Sequence, residues 1–139
     1  MKKVMVFGAF DGLHPGHISF FQQAKSYGDY LIVSVGTDKN GTKIKKRAPL
    51  FNETDRRDLI SHIDIIDEAI IGGEDDFYEH IKDVNPDVIC LGYDQWATVN
   101  SVRRALVKKG LSAIEVYKLD PFNEDTAKST NLKNKSVDF

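Results

Sequence analysis

The sequence predicts an α/β fold, with one Rossmann-like domain built on a parallel sheet of about five strands that carries helices on both faces. Short apolar, β-branched segments of strand length recur along the chain. Segments with helical periodicity lie between them. Because strand and helix alternate within one domain, parallel strands joined by right-handed crossovers are favoured. In such sheets ligands bind at the carboxyl ends of the strands.

The first strand and the first helix are predicted near the start of the chain. Residues 3–7 contain the apolar run of residues 4–7 and are followed by Gly8, so they are assigned to a strand. Pro15 presets the backbone of a first helical turn, and the helical pattern then runs to about Tyr27 and ends at Gly28. Residues 8–17, which join these elements, form the first loop.

The remaining elements follow in chain order. Strands are predicted at about residues 30–35, 68–71, 87–91 and 113–117. Helices are predicted at about residues 53–62, 75–84 and 98–109. Asn52 caps the first of these helices, Pro86 follows the second, and Gly110 follows the third. The second loop, residues 36–49, and the third loop, residues 92–96, then reach the same edge of the sheet as the first.

The bulk composition sets the size of the protein and excludes some classes of partner. The 139 residues suffice for one hydrophobic core and are too few for two, so residues 1–139 are predicted to form a single domain. The formal net charge of −2 argues against nucleic acid as a partner. No apolar run approaches the roughly 20 residues of a membrane span, and the first run lacks a signal-peptide cleavage site. We therefore expect a cytoplasmic protein with no membrane partner.

The His-Pro-Gly-His motif in the first loop, His14-Pro15-Gly16-His17, is interpreted as a phosphate site. A helix N-terminus offers N–H groups and the positive end of its dipole, so an anion is stabilised there. His14 and His17 add donors that can be neutral or charged near pH 7, and Gly16 gives a ligand room near the backbone. An isolated pair of histidines at this spacing is more often a metal half-site or a solvent-facing pair. The position of this pair on a strand-to-helix turn favours the phosphate site.

Three further segments are candidates for the same site. The second loop carries Lys43 and Lys45, whose charge suits a triphosphate, although most charged runs are only a solvated surface. The third loop begins Gly92-Tyr93-Asp94-Gln95, which offers a glycine, an acceptor and an amide, or is a polar surface turn. Near the end of the chain, Lys128-Ser129-Thr130 could open a helix with hydroxyls facing a phosphate, or be a simple N-cap.

Three other reactive side chains are given structural roles. His62 and His80 lie on predicted helices, and Cys90 lies in an apolar run where a buried, inert thiol is expected. The sequence holds no cluster of cysteine and histidine that would support a zinc site. The chemistry is therefore expected at the carboxyl edge of the sheet.

The order of these segments resembles the cytidylyltransferase-like nucleotidyltransferases over nearly the whole chain. The resemblance is carried by Gly8-Ala9-Phe10-Asp11, the His-Pro-Gly-His motif, the Lys-rich loop, Gly92-Tyr93-Asp94-Gln95 and Ser129-Thr130. Within that superfamily the chain looks most similar to the small archaeal-type FAD synthases, because the segment from Lys43 to Arg57 matches their register without a gap. Glycerol-3-phosphate cytidylyltransferases resemble the chain in size and motif order, but their Lys-rich loop aligns only after a shift.

The resemblance implies an enzyme of the nucleotidyltransferase class. Such an enzyme joins an NMP from an NTP to a phosphorylated small molecule and releases pyrophosphate. ATP and FMN are the preferred pair, which would make FAD. CTP with glycerol phosphate, and ATP with a sugar phosphate, are the alternatives within the class. A non-catalytic nucleotide-binding or sensor domain with the same fold is the alternative from another class.

The resemblance also implies roles for individual residues. His14 and His17 would stabilise charge on the α-phosphate, with Lys43 or Lys45 assisting. The nucleotide-binding set that it implies is Gly8, Ala9, Phe10, Asp11, Gly16, Gly92, Tyr93, Asp94, Gln95, Lys128, Ser129 and Thr130, of which Ser129 and Thr130 would hold the triphosphate tail. An Mg²⁺ ion on the triphosphate, with Asp11 near it, and a homodimer are implied as well.

The sequence departs from the family pattern in three ways. Ala9 stands where the family usually has a threonine, so one hydroxyl contact is missing. Glu124 stands where cytidylyltransferases have an arginine, and Lys128 is the candidate replacement. The cysteines near the carboxyl end of archaeal FAD synthases are also absent. These departures bear on the choice of base and acceptor, which the sequence leaves open.

Overall fold

The computed structural model describes residues 1–39, 50–73, 77–93, 95 and 97–121. The strands of this part are β1 (Lys3–Gly8), β2 (Tyr30–Val35), β3 (Glu68–Ile71), β4 (Val88–Leu91) and β5 (Glu115–Lys118). The helices with described bounds are α1 (Pro15–Lys25), α2 (Glu53–Ser61), α3 (Phe77–Val84) and α4 (Val99–Lys108). The strands pair in parallel in the order β3-β2-β1-β4-β5. The predicted five-stranded parallel sheet is therefore confirmed.

The order of the strands reverses at β1. From β1 the chain adds β2 and β3 on one side of the sheet, and it then crosses over to add β4 and β5 on the other side. β1 and β4 are neighbours, with Val4 opposite Val88 and Met5 opposite Ile89. The first loop follows β1 and the third loop follows β4, so both loops begin at the point where the strand order reverses. Sheets of this kind bind ligands at this switch point.

Apolar side chains form a core layer on each face of the sheet. On one face, α1 contributes Phe21 and Ala24 and α2 contributes Ile60. On the other face, α3 contributes Ile81 and α4 contributes Leu106. All five side chains are almost completely removed from solvent, so the hydrophobic effect stabilises both layers. The prediction of helices on both faces is confirmed.

Some boundaries differ from the predicted ones. Helix α1 ends at Lys25 instead of near residue 27, because the chain turns at Ser26, the C-cap. Strand β5 begins at Glu115 instead of residue 113, since the amide of Ile114 donates to the carbonyl of Leu111 in a turn that comes first. Helix and strand ends commonly shift by this much. Within the described ranges, none of the helices is both long and apolar enough to cross a bilayer.

Candidate functional site

The two histidines of the His-Pro-Gly-His motif cap the N-terminus of α1 together. His14 is the N-cap, with extended φ and ψ of −142° and 170°, and its Nδ1 atom accepts a hydrogen bond from the amide of Gly16 at 3.0 Å. The Nδ1 atom of His17 accepts from the amide of His14 at 3.2 Å. Because Nδ1 accepts in both rings, each neutral ring carries its proton on Nε2. The cap therefore fixes one tautomer in both side chains.

This capping arrangement changes how an anion would be held at the phosphate site. The sequence led us to expect open backbone N–H groups there, but the amide of Gly16 already donates to His14 and the amide of His17 donates to the carbonyl of His14. The two imidazole rings lie side by side, with centroids 4.1 Å apart and 32° between their planes. The donors on the two neighbouring rings are consequently their Nε2–H groups, and donation from these groups to a phosphate stays a prediction.

The ring of Phe10 supports His17 from the core side of the loop. Its ring is 7% exposed and meets the ring of His17 edge-on, with centroids 5.5 Å apart. It also packs on Phe21 of α1, at 5.2 Å. The backbone of Phe10 has a φ of 52°, which costs on the order of 1–3 kcal/mol for a side chain other than glycine. Burial of the ring offsets that cost, so Phe10 supports the site by packing.

The position of the Phe10 ring leaves no room for a side chain at Gly8. A Cβ atom at Gly8 would lie 2.6 Å from Cζ of Phe10, well inside contact distance. A side chain at this position would therefore push the phenyl ring away from His17. Gly8 and Phe10, both predicted to bind nucleotide, shape the turn that carries the motif, and their direct contact with nucleotide stays a prediction.

Arg56 of α2 holds the first loop in place. Its side chain is 1% exposed and makes three hydrogen bonds, from Nε to the carbonyl of Phe51 at 2.9 Å, from Nη1 to the carbonyl of Ala9 at 2.8 Å, and from Nη2 to Oδ1 of Asp38 at 2.7 Å. The Asp38 contact is also an ion pair. Satisfying the guanidinium in this way makes its burial tolerable.

The sequence did not identify Arg56 as a site residue. The available signal was its spacing, because Arg56 and Ile60 are four residues apart and share the buried face of α2. A charged residue on the core side of a helix is rarely buried without a partner. The position of Arg56 on the buried face indicates that its charge has a partner in the fold, but the sequence does not show which loop supplies that partner.

Asp11 links the first loop to the segment that enters α2. Its Oδ2 atom accepts from the amide of Leu50 at 2.7 Å, and its Oδ1 atom accepts from the amide of Phe51 at 3.1 Å. Within the described residues, no group of three or more His, Cys, Asp or Glu side chains could hold a metal ion. A single carboxylate fits a divalent cation only where a ligand supplies most of the oxygens. The proposed role of Asp11 near Mg²⁺ stays a prediction.

Gln95 bridges the switch point between β1 and β4. Its Nε2 atom donates to the carbonyl of Phe7 at 2.8 Å, and its Oε1 atom accepts from the amide of Gly92 at 2.9 Å. The side chain therefore joins Phe7, the residue before the end of β1, to Gly92, the residue after β4. Gln95, Gly92 and the 43% exposed Tyr93 lie where the sequence placed them, and their contact with nucleotide stays a prediction.

Several predicted site residues lie outside the described part of the chain. These are Lys43, Lys45, Asp94, Lys128, Ser129 and Thr130. The other predicted site residues lie in the first loop and the third loop, and the structure brings these two loops to one edge of the sheet, as the strand order requires.

A cavity of about 490 Å³ opens beside His14 and is lined by Leu13, His14, Pro15, Ile18, Ser19 and Gln22.

The side chains that were given structural roles have local partners. Nε2 of His80 lies 2.9 Å from Oγ of Ser34, and burial lowers the pKa of His80 although Asp83 acts in the opposite direction. Nδ1 of His62 lies 2.7 Å from the carbonyl of Asp58 on α2. Burial raises the pKa of the Cys90 thiol to about 12, so almost none of it is the reactive thiolate near neutral pH. These contacts agree with the structural assignments.

Comparison with known proteins identifies one family. Residues 5–135 match the family model described as Cytidylyltransferase-like. An FAD synthase of Picrophilus torridus is 37% identical over 137 residues, which cover 99% of this chain and 97% of that protein. An FAD synthase of Ferroglobus placidus is 44% identical over 113 residues, which cover 81% of this chain and 73% of that protein.

A solved structure supports the same grouping. A crystal structure from Thermoplasma volcanium, described as a lipopolysaccharide core biosynthesis protein, superimposes with a TM-score of 0.83 at 34% sequence identity. The superposition covers 88% of this chain and 99% of that one. The similarity therefore extends over most of this chain and nearly all of that one.

Proposed function

Because this chain belongs to the cytidylyltransferase-like family, we propose that it is an FMN adenylyltransferase, which transfers AMP from ATP to FMN and releases pyrophosphate. The observation that carries the proposal is the pair of capped histidines at the carboxyl edge of the sheet. Relatives named as FAD synthases match this chain over most of its length, and they support FMN as the acceptor.

The reaction is a displacement at the α-phosphorus of ATP. An oxygen of the FMN phosphate attacks this phosphorus and forms the new P–O bond. The bond from the α-phosphorus to the oxygen that bridges to the β-phosphate breaks, and pyrophosphate leaves with the electron pair. A phosphate monoester is largely doubly ionised at neutral pH, because its second pKa is about 6. The nucleophile therefore needs no general base, and catalysis consists of positioning and charge stabilisation.

His14 and His17 supply the charge stabilisation in this proposal. Their fixed tautomer directs an Nε2–H from each ring to the oxygens of the α-phosphate, where negative charge gathers during the displacement. The donors are oriented before the substrate binds, because backbone amides hold both Nδ1 atoms. Lys43 and Lys45 are proposed to add positive charge, and Lys128, Ser129 and Thr130 to hold the triphosphate tail.

A divalent cation, Mg²⁺ in this proposal, neutralises part of the triphosphate charge when it is bound. Such an ion would arrive with the nucleotide and would find oxygen ligands on its phosphates. Asp11 is the carboxylate proposed to lie near it. The homodimer and the cytoplasmic location expected from the sequence stay predictions.

A sugar phosphate is a second candidate acceptor. The observation that favours it is the 34% identical Thermoplasma volcanium structure, whose description refers to lipopolysaccharide core biosynthesis. The chemistry at the α-phosphorus would be unchanged, and the difference would lie in the pocket that holds the acceptor.

A substrate panel tests the proposal. The purified protein is incubated with ATP or CTP and with FMN, glycerol phosphate or a sugar phosphate, and both pyrophosphate and the joined product are measured. We expect ATP with FMN to give FAD and pyrophosphate in equal amounts. Turnover only with a sugar phosphate would favour the second candidate. Binding of ATP without pyrophosphate release from any pair would identify a sensor domain and contradict the proposal.

A further inference from the structure

An aromatic cluster of Phe7, Phe77 and Tyr78 lies at the carboxyl edge of the sheet and has no part in the mechanism above. The rings of Phe7 and Phe77 are 4.7 Å apart at an angle of 50°. The rings of Phe77 and Tyr78 are 5.1 Å apart and nearly perpendicular. All three side chains are partly exposed, so the cluster is an apolar surface as well as a part of the core.

The topology places this cluster next to the phosphate site. Phe7 precedes Gly8, the last residue of β1, after which the first loop leads to His14. Phe77 is the first residue of α3, and α3 begins at the carboxyl edge because it returns the chain from β3 towards β4. The carbonyl of Phe7 accepts the hydrogen bond from Gln95 across the switch point. The cluster therefore borders the crevice in which a ligand of this fold is expected.

Helix α3 is held firmly over the sheet at this point. His80 lies one turn after Phe77, and its Nε2 atom is 2.9 Å from Oγ of Ser34. Ser34 is the residue of β2 that pairs with Phe7 of β1. This contact therefore links the helix that carries Phe77 to the strand that pairs with Phe7.

We propose that Phe7, Phe77 and Tyr78 form the surface on which the isoalloxazine ring of the acceptor FMN lies, an inference that rests on the proposed function. The isoalloxazine ring is flat, aromatic and largely apolar on its faces, and such rings stack on aromatic side chains. The edge of that ring carries carbonyl and N–H groups, which would lie towards the third loop. The phosphate of FMN then points from the cluster towards the histidines.

The cavity beside His14 is the competing position for the flavin. It lies on the α1 side of the motif, and its side walls are Leu13, Ile18 and Gln22. No phenylalanine, tyrosine or tryptophan of the described chain lines it, so it offers apolar volume without an aromatic partner for stacking. A variant at Ile18 distinguishes the two positions.

The test compares Phe77→Leu with Tyr27→Leu. Leucine keeps an apolar side chain on α3 and removes the ring. Tyr27 is the matched control, because it is partly exposed and stacks on Tyr117 at 4.6 Å, beyond the end of α1 and away from the phosphate site. We expect Phe77→Leu to raise the KM for FMN roughly tenfold, because stacking on an aromatic ring is lost. The KM for ATP and the thermal midpoint should match those of the control.

A binding measurement gives an independent readout. Contact with the electron-rich ring of a tyrosine quenches flavin fluorescence, so titration of the wild-type protein into FMN should quench the emission through Tyr78. Phe77→Leu weakens binding and should shift this quenching to higher protein concentration. Should Phe77→Leu fail to fold, Tyr78→Leu takes its place in both measurements, with the same expected rise in the KM for FMN and with loss of the quenching.

The outcomes separate this inference from the proposed function. If the wild-type protein makes FAD but Phe77→Leu leaves the KM for FMN unchanged, or raises the KM for ATP equally, the inference is wrong and the function stands. The same holds if Ile18→Ala, at the competing cavity, produces the rise in the KM for FMN instead. If the wild-type protein makes no FAD from ATP and FMN, the proposed function is wrong, and the inference is overturned with it.

Discussion

Arg56 donates from Nη1 to the carbonyl of Ala9 at 2.8 Å, and this contact ties α2 to the loop that carries the two histidines. The same guanidinium binds Asp38, near the start of the second loop, at 2.7 Å. One buried side chain therefore holds the ends of two loops that the sequence places far apart. The conformation of the loop that carries the two histidines therefore depends on Arg56.

Replacing Arg56 by lysine tests this dependence. Lysine keeps the charge but lacks the planar fork that reaches several acceptors at once. We expect the free energy of unfolding to fall by about 1–3 kcal/mol, because buried acceptors lose their donor. The kcat for FAD formation should fall too, as the first loop is no longer held. Arg57→Lys is the matched control, since Arg57 is the partly exposed neighbour that contacts Asp58. Equal urea midpoints and rates for the two variants would contradict this account.

Replacing His17 by asparagine separates capping from catalysis. Asparagine keeps a side-chain acceptor for the amide of His14 and removes the Nε2–H donor. We expect kcat to fall by roughly 100-fold to 1000-fold, as for loss of one preorganised donor, with a thermal midpoint near that of the wild type. His62→Asn, at the exposed C-cap of α2, should leave the rate unchanged. A His17→Asn variant that keeps wild-type kcat would show that the donor is not used.

Replacing Gly8 by alanine tests the packing beneath His17. The added Cβ would lie 2.6 Å from the ring of Phe10, so the ring must move and the fold should lose roughly 1–3 kcal/mol. Gly36→Ala is the control, because the nearest atom to its added Cβ is 3.8 Å away. Urea unfolding of both variants measures the difference. Stability of Gly8→Ala equal to that of Gly36→Ala would refute the steric argument.

The pH dependence of stability should report on His80. Burial lowers the pKa of His80 in the folded protein, so the unfolded chain binds more protons once the pH falls below about 6.5. The contribution of His80 to stability is therefore complete above that pH and is lost as the pH falls. The urea midpoint of wild type should drop more steeply than that of His80→Gln between about pH 7.5 and pH 5. Parallel profiles would mean that the His80 ring protonates as easily in the folded state as in the unfolded one.

The fold could be predicted from the sequence because its signals are local. Apolar runs such as residues 30–35 have strand length, and Pro15 and Asn52 mark helix starts that the structure confirms. Alternation of the two element types then leaves few topologies for a parallel sheet. The ends of the elements follow less directly from local signals. Strand β5 begins later than expected because a backbone hydrogen bond from Ile114 to Leu111 forms a turn before it.

The sequence locates the motif residues on the fold, but it does not predict the contacts among them, and their role as a site stays a prediction. The His-Pro-Gly-His motif is contiguous, so its place at a helix start could be recognised from the sequence. The bridges made by Arg56 and Gln95 could not, because each joins residues distant in sequence, as Gln95 joins Phe7 to Gly92. The tautomer of the two histidines also follows from three-dimensional geometry, since it depends on which backbone amides reach the Nδ1 atoms.

The fate of the α-phosphate of ATP tests the central claim most directly. The wild-type protein is incubated with Mg²⁺, FMN and ATP that carries a radioactive label on the α-phosphorus, and the products are separated. The account predicts that the label appears in FAD, and that ATP labelled on the γ-phosphorus instead releases all of its label as pyrophosphate. Label from the α-position that stays in ATP, or that appears in ADP or AMP with FMN unchanged, would contradict it.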